Sequence, residues 1–178
     1  MSFLELVKKR QSTRGFTDKP VAREHIEQCI EAARLAPSAC NSQPWSFIVV
    51  EGENLRKKIG RKAFSGIYRS NNFAKDAPVF IVAVTEVSTY IARLGGLIRN
   101  VKYNLIDIGV ACEHLVLQAE ELGIGSCWLG WFDDRRVKKT LDLSPKAHVD
   151  IIIALGYPKS PGLREKVRKP LDEMVTWI

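Results

Sequence analysis

Several kinds of reactive centre lack the residues they would need in this sequence. Its four cysteines, Cys29, Cys40, Cys112 and Cys127, lie far apart with no CxxC pair. That spacing fits neither a zinc knuckle nor a redox dithiol, and free thiols are the expectation. Three histidines, His25, His114 and His148, are too scattered for a recognisable metal site, and HExxH is absent. There is no GxSxG elbow and no GxxxxGK[ST] loop, which argues against an α/β-hydrolase and a P-loop NTPase. Gly123-Ile124-Gly125 begins like a dinucleotide fingerprint, but it follows a helical pattern instead of a strand and its third glycine is misplaced. The longest apolar run, Ala77–Val84, has eight residues, whereas a membrane span needs about 20. Met1–Glu5 lacks the cationic-then-apolar pattern of a signal peptide. No repeat or low-complexity tract interrupts the chain. A cytoplasmic protein without a membrane segment is expected.

What is present is an ordinary globular composition. The 178 residues are 46% apolar and 26% charged, a balance that argues against disorder. One domain spanning residues 1–178 is expected. Lys and Arg number 27 against 20 Asp and Glu, for a formal charge of +7. Such an excess suggests an anionic partner. Its distribution is informative: residues 1–14 carry a net +3 and residues 159–169 a net +4. The rest of the chain is neutral on balance. Two terminal segments, not a diffuse surface, hold the excess. A basic nucleic-acid-binding module would interleave exposed aromatics with such cations, and here the aromatics fall in apolar strands or glycine loops.

Helical and extended patterns alternate, which indicates a mixed α/β domain. Ser2 and Glu5 fit a capping box opening a helix through about Lys9. Ile26, Cys29, Ile30 and Ala33 mark a helical face that must end by Pro37. Ser46–Val50 reads as a strand, Asn54–Lys62 as a short basic helix, and Gly66–Lys75 as irregular and polar. Val79–Thr85 reads as a strand buried on both faces. The spacing predicts a long helix from Asn100 to Leu122, stopped by Gly123. Ser126–Leu129 and Val149–Leu155 read as strands, with a basic helix between them capped by Asp133 or Asp134. The tail from Tyr157 to residue 178 is expected to be extended.

Four stretches could carry chemistry. Arg10-Gln11-Ser12-Thr13-Arg14 sets two guanidiniums around hydroxyls, a set suited to phosphate, although a solvated basic turn has the same composition. Pro37-Ser38-Ala39-Cys40-Asn41-Ser42-Gln43-Pro44-Trp45 offers small polar groups to a planar heterocycle, or is an ordinary helix-to-strand loop. Gly123–Phe132 combines glycines that permit close backbone approach with aromatics that could wall a ring, or is a strand end with core tryptophans. Cys127 within it reads as a buried structural thiol. Lys159–Lys169 is either a solvated tail or a second cationic clamp.

The order of these stretches is more specific than any one of them. The chain runs helix–RxSxR, PSxxNSQPW, a long helix ending in GxGSCWLG, a GYP turn and a late KxRKPL. In that order it resembles the nitroreductase family of flavin enzymes over essentially its whole length. The resemblance implies an α+β fold: a three-layer α/β/α sandwich with a central, mostly antiparallel sheet and a long central helix. It also implies a homodimer with flavin mononucleotide (FMN) at the subunit interface. By that resemblance Arg10, Ser12 and Arg14 meet the phosphate, ribityl chain and pyrimidine edge. Gln11 occupies a variable position of that motif. Lys166 and Arg168 complete the phosphate clamp. Pro37, Ser38, Ala39 and Asn41 reach the flavin from the partner subunit. Asn71, or its neighbour Asn72, meets the pyrimidine. Trp128, Leu129 and Gly130 lie against the ring, with the Gly130 N–H directed at N5 and Arg14 supporting negative charge at N1–C2=O.

The implied activity is NAD(P)H-dependent reduction of nitroaromatic, quinone or similar electrophilic acceptors, by ping-pong hydride transfer through N5. NADH or NADPH is the donor and no side-chain acid is required. A relative with other flavin chemistry, reductive dehalogenation or flavin breakdown, is the alternative. Many members carry an acidic residue and a glycine where this chain has Gly130 and Trp131, a departure that bears on pocket size.

Overall fold

The computed structural model describes residues 1–86, 100–160 and 162–178. Strands β1 (Trp45–Val50), β2 (Val79–Thr85), β3 (Gly125–Leu129) and β4 (His148–Gly156) form one sheet in the order β1-β2-β4-β3, and every adjacent pair is antiparallel. Helices α1 (Phe3–Lys9), α2 (Arg23–Arg34), α3 (Glu53–Ala63), α4 (Tyr103–Glu121) and α5 (Asp134–Thr140) surround it.

Side-chain alternation along β2 explains the layers. Val79, Ile81 and Ala83 pack against Ile26, Cys29 and Ala33 of α2 and Ile108, Cys112 and Leu115 of α4. Phe80, Val82 and Val84 point the other way, towards Ile59 and Ala63 of α3 and Val137 of α5. A strand with two buried faces must be apolar at every position, and β2 is. The result is the α/β/α sandwich expected from the sequence.

Local signals are realised closely. The Ser2–Glu5 capping box forms, with the Glu5 N–H donating to Ser2 Oγ at 3.3 Å and the Ser2 N–H to Glu5 Oε2 at 2.6 Å. Asp133 caps α5 by accepting from the Arg136 N–H at 3.1 Å. Gly123 ends α4 at a φ of +73°, where a side chain is disfavoured. Helix α4 spans 19 residues, about 28 Å at 1.5 Å each. It begins three residues later than its periodicity predicts, because Asn100 takes a φ of +53° and Lys102 is not helical. Gly66–Asp76, expected to be irregular, is a 3₁₀ helix. Gly60 lets α3 lie close against it: a Cβ there would sit 3.0 Å from Lys75 Cα.

Residues 11–17 matter most for the site. They thread between β3 and the chain leaving β4. The Thr13 N–H donates to Ser126 O and the Thr17 N–H to Tyr157 O, both at 2.8 Å, and the Lys159 N–H donates to Gly15 O at 3.0 Å. Phe16 anchors the segment in the core at 1% exposure. Two glycines make room for it. A Cβ at Gly125 would meet Thr13 Oγ1 at 2.4 Å, and one at Gly156 would meet Pro78 Cδ at 2.4 Å and Phe16 Cδ1 at 3.0 Å. Overpacking of this kind costs about 1–3 kcal/mol. Gly156→Ala should therefore lower the free energy of unfolding by that amount, read from chemical denaturation; an unchanged value would show that Pro78 and Phe16 yield freely.

Candidate functional site

Both basic termini arrive at one place. Arg10, Ser12, Arg14, Lys166 and Arg168 line a cleft of about 340 Å³ beside α1. The tail is held there by side chains from the first segment. Gln11 Oε1 accepts from the Arg164 backbone N–H and from Arg164 Nε, both at 3.2 Å, and Gln11 Nε2 donates to Gly162 O at 3.0 Å. Arg164 Nη2 also donates to Ser12 O, and Lys166 Nζ donates to Val7 O at 2.6 Å. Gln11 thus buckles the two segments together, a role its place in a variable position did not suggest. Arg164 is a site residue that the sequence showed only as one more tail charge.

The electrostatics of the cleft favour a dianion. Burial and the nearby Arg10 and Arg168 push Lys166 below the usual lysine range. The opposing carboxylates stand on α4. Glu113 Oε1 lies 3.7 Å from Arg10 Nε, and Glu120 Oε1 lies 3.8 Å from Lys9 Nζ. Burial pushes Glu120 above the usual carboxylate range, with Lys9, Lys166 and Arg10 acting against that shift. Arg10 Nε is buried and makes no hydrogen bond among the described residues. Arg14 is exposed and in no salt bridge among them. Guanidiniums, an ammonium and the Ser12 hydroxyl are the donor set a phosphate monoester requires, so these residues fit that group.

The loop with Pro37, Ser38, Ala39 and Asn41 lies elsewhere in the chain. It leads into β1 at one edge of the sheet, while Ser12 bridges Ser126 of β3 at the other. Three strand spacings separate those edges, about 14 Å. None of the four loop residues lines the basic cleft. The loop is held in an uncommon shape: Cys40, Asn41 and Gln43 have φ values of +53°, +52° and +44°. Non-glycine residues stay in that region only where their surroundings fix them. Asp107 of α4, 6% exposed, supplies one such fixture: its Oδ1 accepts from the Ala39 N–H at 3.1 Å. Ser38 Oγ supplies another by accepting from the Gln43 N–H at 2.9 Å. Removing a buried acceptor costs about 1–3 kcal/mol. Asp107→Ala should therefore lose that much stability and accelerate amide exchange at Ala39; protection equal to that of the unaltered chain would contradict this role.

At the end of β3, Trp128 is half-buried against the α2–α4 layer, and Leu129 is buried at 1% exposure in the other layer. Leu129 therefore presents only backbone. Gly130 is exposed, and its N–H makes no hydrogen bond among the described residues. Trp131, 55% exposed, is fastened to the 3₁₀ segment. Its Nε1 donates to Ile67 O at 3.1 Å, Asn71 Nδ2 donates to its carbonyl at 2.8 Å, and its ring lies 5.0 Å from that of Tyr68. Asn71, and not the exposed Asn72, makes this contact. All four cysteines are free. Burial pushes the Cys29 and Cys112 thiols up to about 12 and raises Cys127 as well, so none of those three is poised as a thiolate.

The model of the nitroreductase family matches residues 7–72 and 68–157. The chain belongs to the nitroreductase family. Its relatives within that family include an NADH dehydrogenase of Thermus thermophilus, 28% identical over 95% of this chain and 92% of that protein. An iodotyrosine deiodinase of Thermotoga neapolitana is 27% identical, covering 96% of this chain and 94% of that protein. Among solved structures, an FMN-dependent nitroreductase of Clostridium difficile R20291 superposes with a TM-score of 0.75 at 27% identity, covering 98% of each chain. For a nitroreductase-family member, the basic cleft, the end of β3 and the PSxxNSQPW loop are the three places to which a flavin reading assigns contacts.

Proposed function

We propose that the chain is an FMN-dependent oxidoreductase that takes electrons from NADH or NADPH and reduces nitroaromatic, quinone or similar electrophilic acceptors, acting as a homodimer. The observation that carries this reading is the convergence of Arg10, Ser12, Lys166 and Arg168 on one cleft, from chain ends more than 150 residues apart. Bound there, the flavin would supply two-electron chemistry at its ring. The protein binds, orients and screens. Arg10, Lys166 and Arg168 neutralise the phosphate, and the Ser12 hydroxyl donates to it. Gln11 keeps the two halves of the clamp together. Arg14 places a positive charge at the pyrimidine edge, where it favours negative charge at N1–C2=O. The Gly130 N–H, unpaired among the described residues, would donate to the flavin, and the Trp128 and Leu129 backbone would support its ring. Asn71, held by its bond to Trp131 O, would offer its Oδ1 to the pyrimidine.

The second subunit completes the site. The rigid loop with Pro37, Ser38, Ala39 and Asn41 stands at the far edge of its own sheet, so a neighbouring copy is the natural recipient of its polar groups. Exposed apolar side chains support such a neighbour: Phe3 and Leu35 border a shallow apolar groove of about 300 Å³ along α4, and Leu105 and Ile106 of α4 are themselves exposed.

Reconstitution with FMN tests this reading. The protein should become yellow, bleach with NADH or NADPH, and recover its colour with a nitroarene or a quinone. It should sediment as a dimer. A colourless protein after reconstitution, or a fully loaded monomer, would contradict it. The deiodinase relative favours one further acceptor class, so iodotyrosine belongs in the same screen.

A further inference from the structure

A second cavity among the described residues lies apart from the basic cleft. It occupies about 960 Å³ on the α3 side of residues 16–18, at the upper end of the range for small-molecule sites. It accounts for the basic helix α3, which the flavin reading leaves unused. Cations reach it from three separate parts of the chain: Arg56 and Arg61 from α3, Lys75 from the 3₁₀ helix, and Lys159 from the segment that leaves β4. Lys57 also lines it but is paired with Glu53. Among the described residues none of the other four cations forms a salt bridge, and neither do the cavity's remaining carboxylates, Asp18 and Asp76. Four unpaired cations against two unpaired carboxylates leave the cavity with an excess of two positive charges.

Three of those cations are already positioned. Arg56 Nη1 donates to Ala77 O at 2.9 Å, and Arg56 Nε is buried without a partner. Arg61 Nε lies 3.4 Å from Lys57 O. Lys75 is placed by the close packing of Gly60 on its backbone. Side chains held by other contacts lose less freedom when a ligand arrives. Guanidiniums are suited to phosphate oxygens, and an excess of two positive charges matches a phosphate dianion.

We propose that this cavity is a second anion site, distinct from the flavin clamp, that binds the phosphate group of a small phosphorylated molecule on Arg56, Arg61, Lys75 and Lys159. It shares only Lys159 with the small cleft beside Arg14, so both sites can be filled together.

The test uses the FMN-loaded protein, whose clamp is occupied, titrated calorimetrically with inorganic phosphate, pyrophosphate and AMP. One equivalent should bind per chain. Loss of two charge-assisted contacts should weaken binding at least about tenfold in Arg61→Gln with Lys75→Gln, while FMN content stays that of the unaltered chain. Tighter binding of AMP than of phosphate indicates a nucleotide-borne group; equal binding indicates the phosphate alone. Absence of binding at millimolar concentration, or binding that the double variant does not weaken, overturns the proposal. Should the chain hold no FMN, the same titration is run on Arg10→Ala with Arg168→Ala, which removes the competing clamp. The second site then stands or falls independently of the flavin reading.

Discussion

Replacing Arg10 and Arg168 together by alanine lowers FMN affinity about 10²- to 10⁴-fold. Each guanidinium donates charge-assisted hydrogen bonds worth roughly 1.5–3 kcal/mol, and a factor of ten corresponds to about 1.4 kcal/mol. The effect is expected to be large because the two residues line one cleft from opposite ends of the chain and neither can substitute for the other. Lys166, already pushed down by burial and by those same two arginines, is relieved in the double variant but stays in its place on Val7 O. Its single remaining charge does not restore a dianion site. Fluorescence titration with FMN measures the loss, and thermal unfolding of the flavin-free proteins should coincide, since Arg10 Nε makes no hydrogen bond among the described residues and pairs only at 3.7 Å with Glu113, itself 41% exposed, and ion pairs with a solvated partner are worth little. FMN retention equal to that of the unaltered chain would place the phosphate elsewhere.

Phe16→Ala gives the largest expected loss of stability, about 3–5 kcal/mol, the usual cost of removing a fully buried aromatic ring. Phe16 is 1% exposed in the layer with Phe64, Phe80 and Leu129. For a chain of this size that loss lowers the melting temperature by roughly 6–20 °C. The variant should also weaken FMN binding at temperatures where it remains folded, because Phe16 anchors the segment that carries Arg10, Gln11, Ser12 and Arg14. Phe80→Ala is the control. It opens a comparable cavity in the same layer, but on a central strand with no link to the clamp, and should leave FMN affinity close to that of the unaltered chain. Equal losses of affinity in the two variants would show that general loosening, not the anchoring of residues 11–17, is responsible.

Much of the fold is legible in the sequence because local rules dictate it. The capping box at Ser2 and Glu5, the doubly buried β2 and the glycine stop of α4 each follow from a few neighbouring residues. Helix α4 starts later than its periodicity predicts because the apolar spacing continues past the point where backbone geometry allows a helix. The family likeness points to Arg10, Ser12, Arg14, Lys166 and Arg168, which line one cleft, but not to the way they are held. Gln11 and Arg164 are 153 positions apart, and only the pairing of residues 11–17 between β3 and the end of β4 brings them into reach. Asp107 gave no signal at all. It sits on a face of α4 that reads as ordinary helix, and its partner is a backbone N–H 68 positions away. The left-handed residues of the loop were equally hidden, since Cys40, Asn41 and Gln43 carry no glycine among them. The basic helix α3 could be read from its charges, but the cavity it lines depends on the packing of Lys75 and Lys159 beside it.

As proposed, the two basic termini form a phosphate clamp for a flavin. Comparing FMN with riboflavin tests it most directly, because the two ligands share ring and ribityl chain and differ only in the phosphate. One FMN should bind per chain, with an affinity at least about 100-fold above that for riboflavin, from two or more charge-assisted contacts. Equal affinities for the two ligands, or no binding of either, would contradict it.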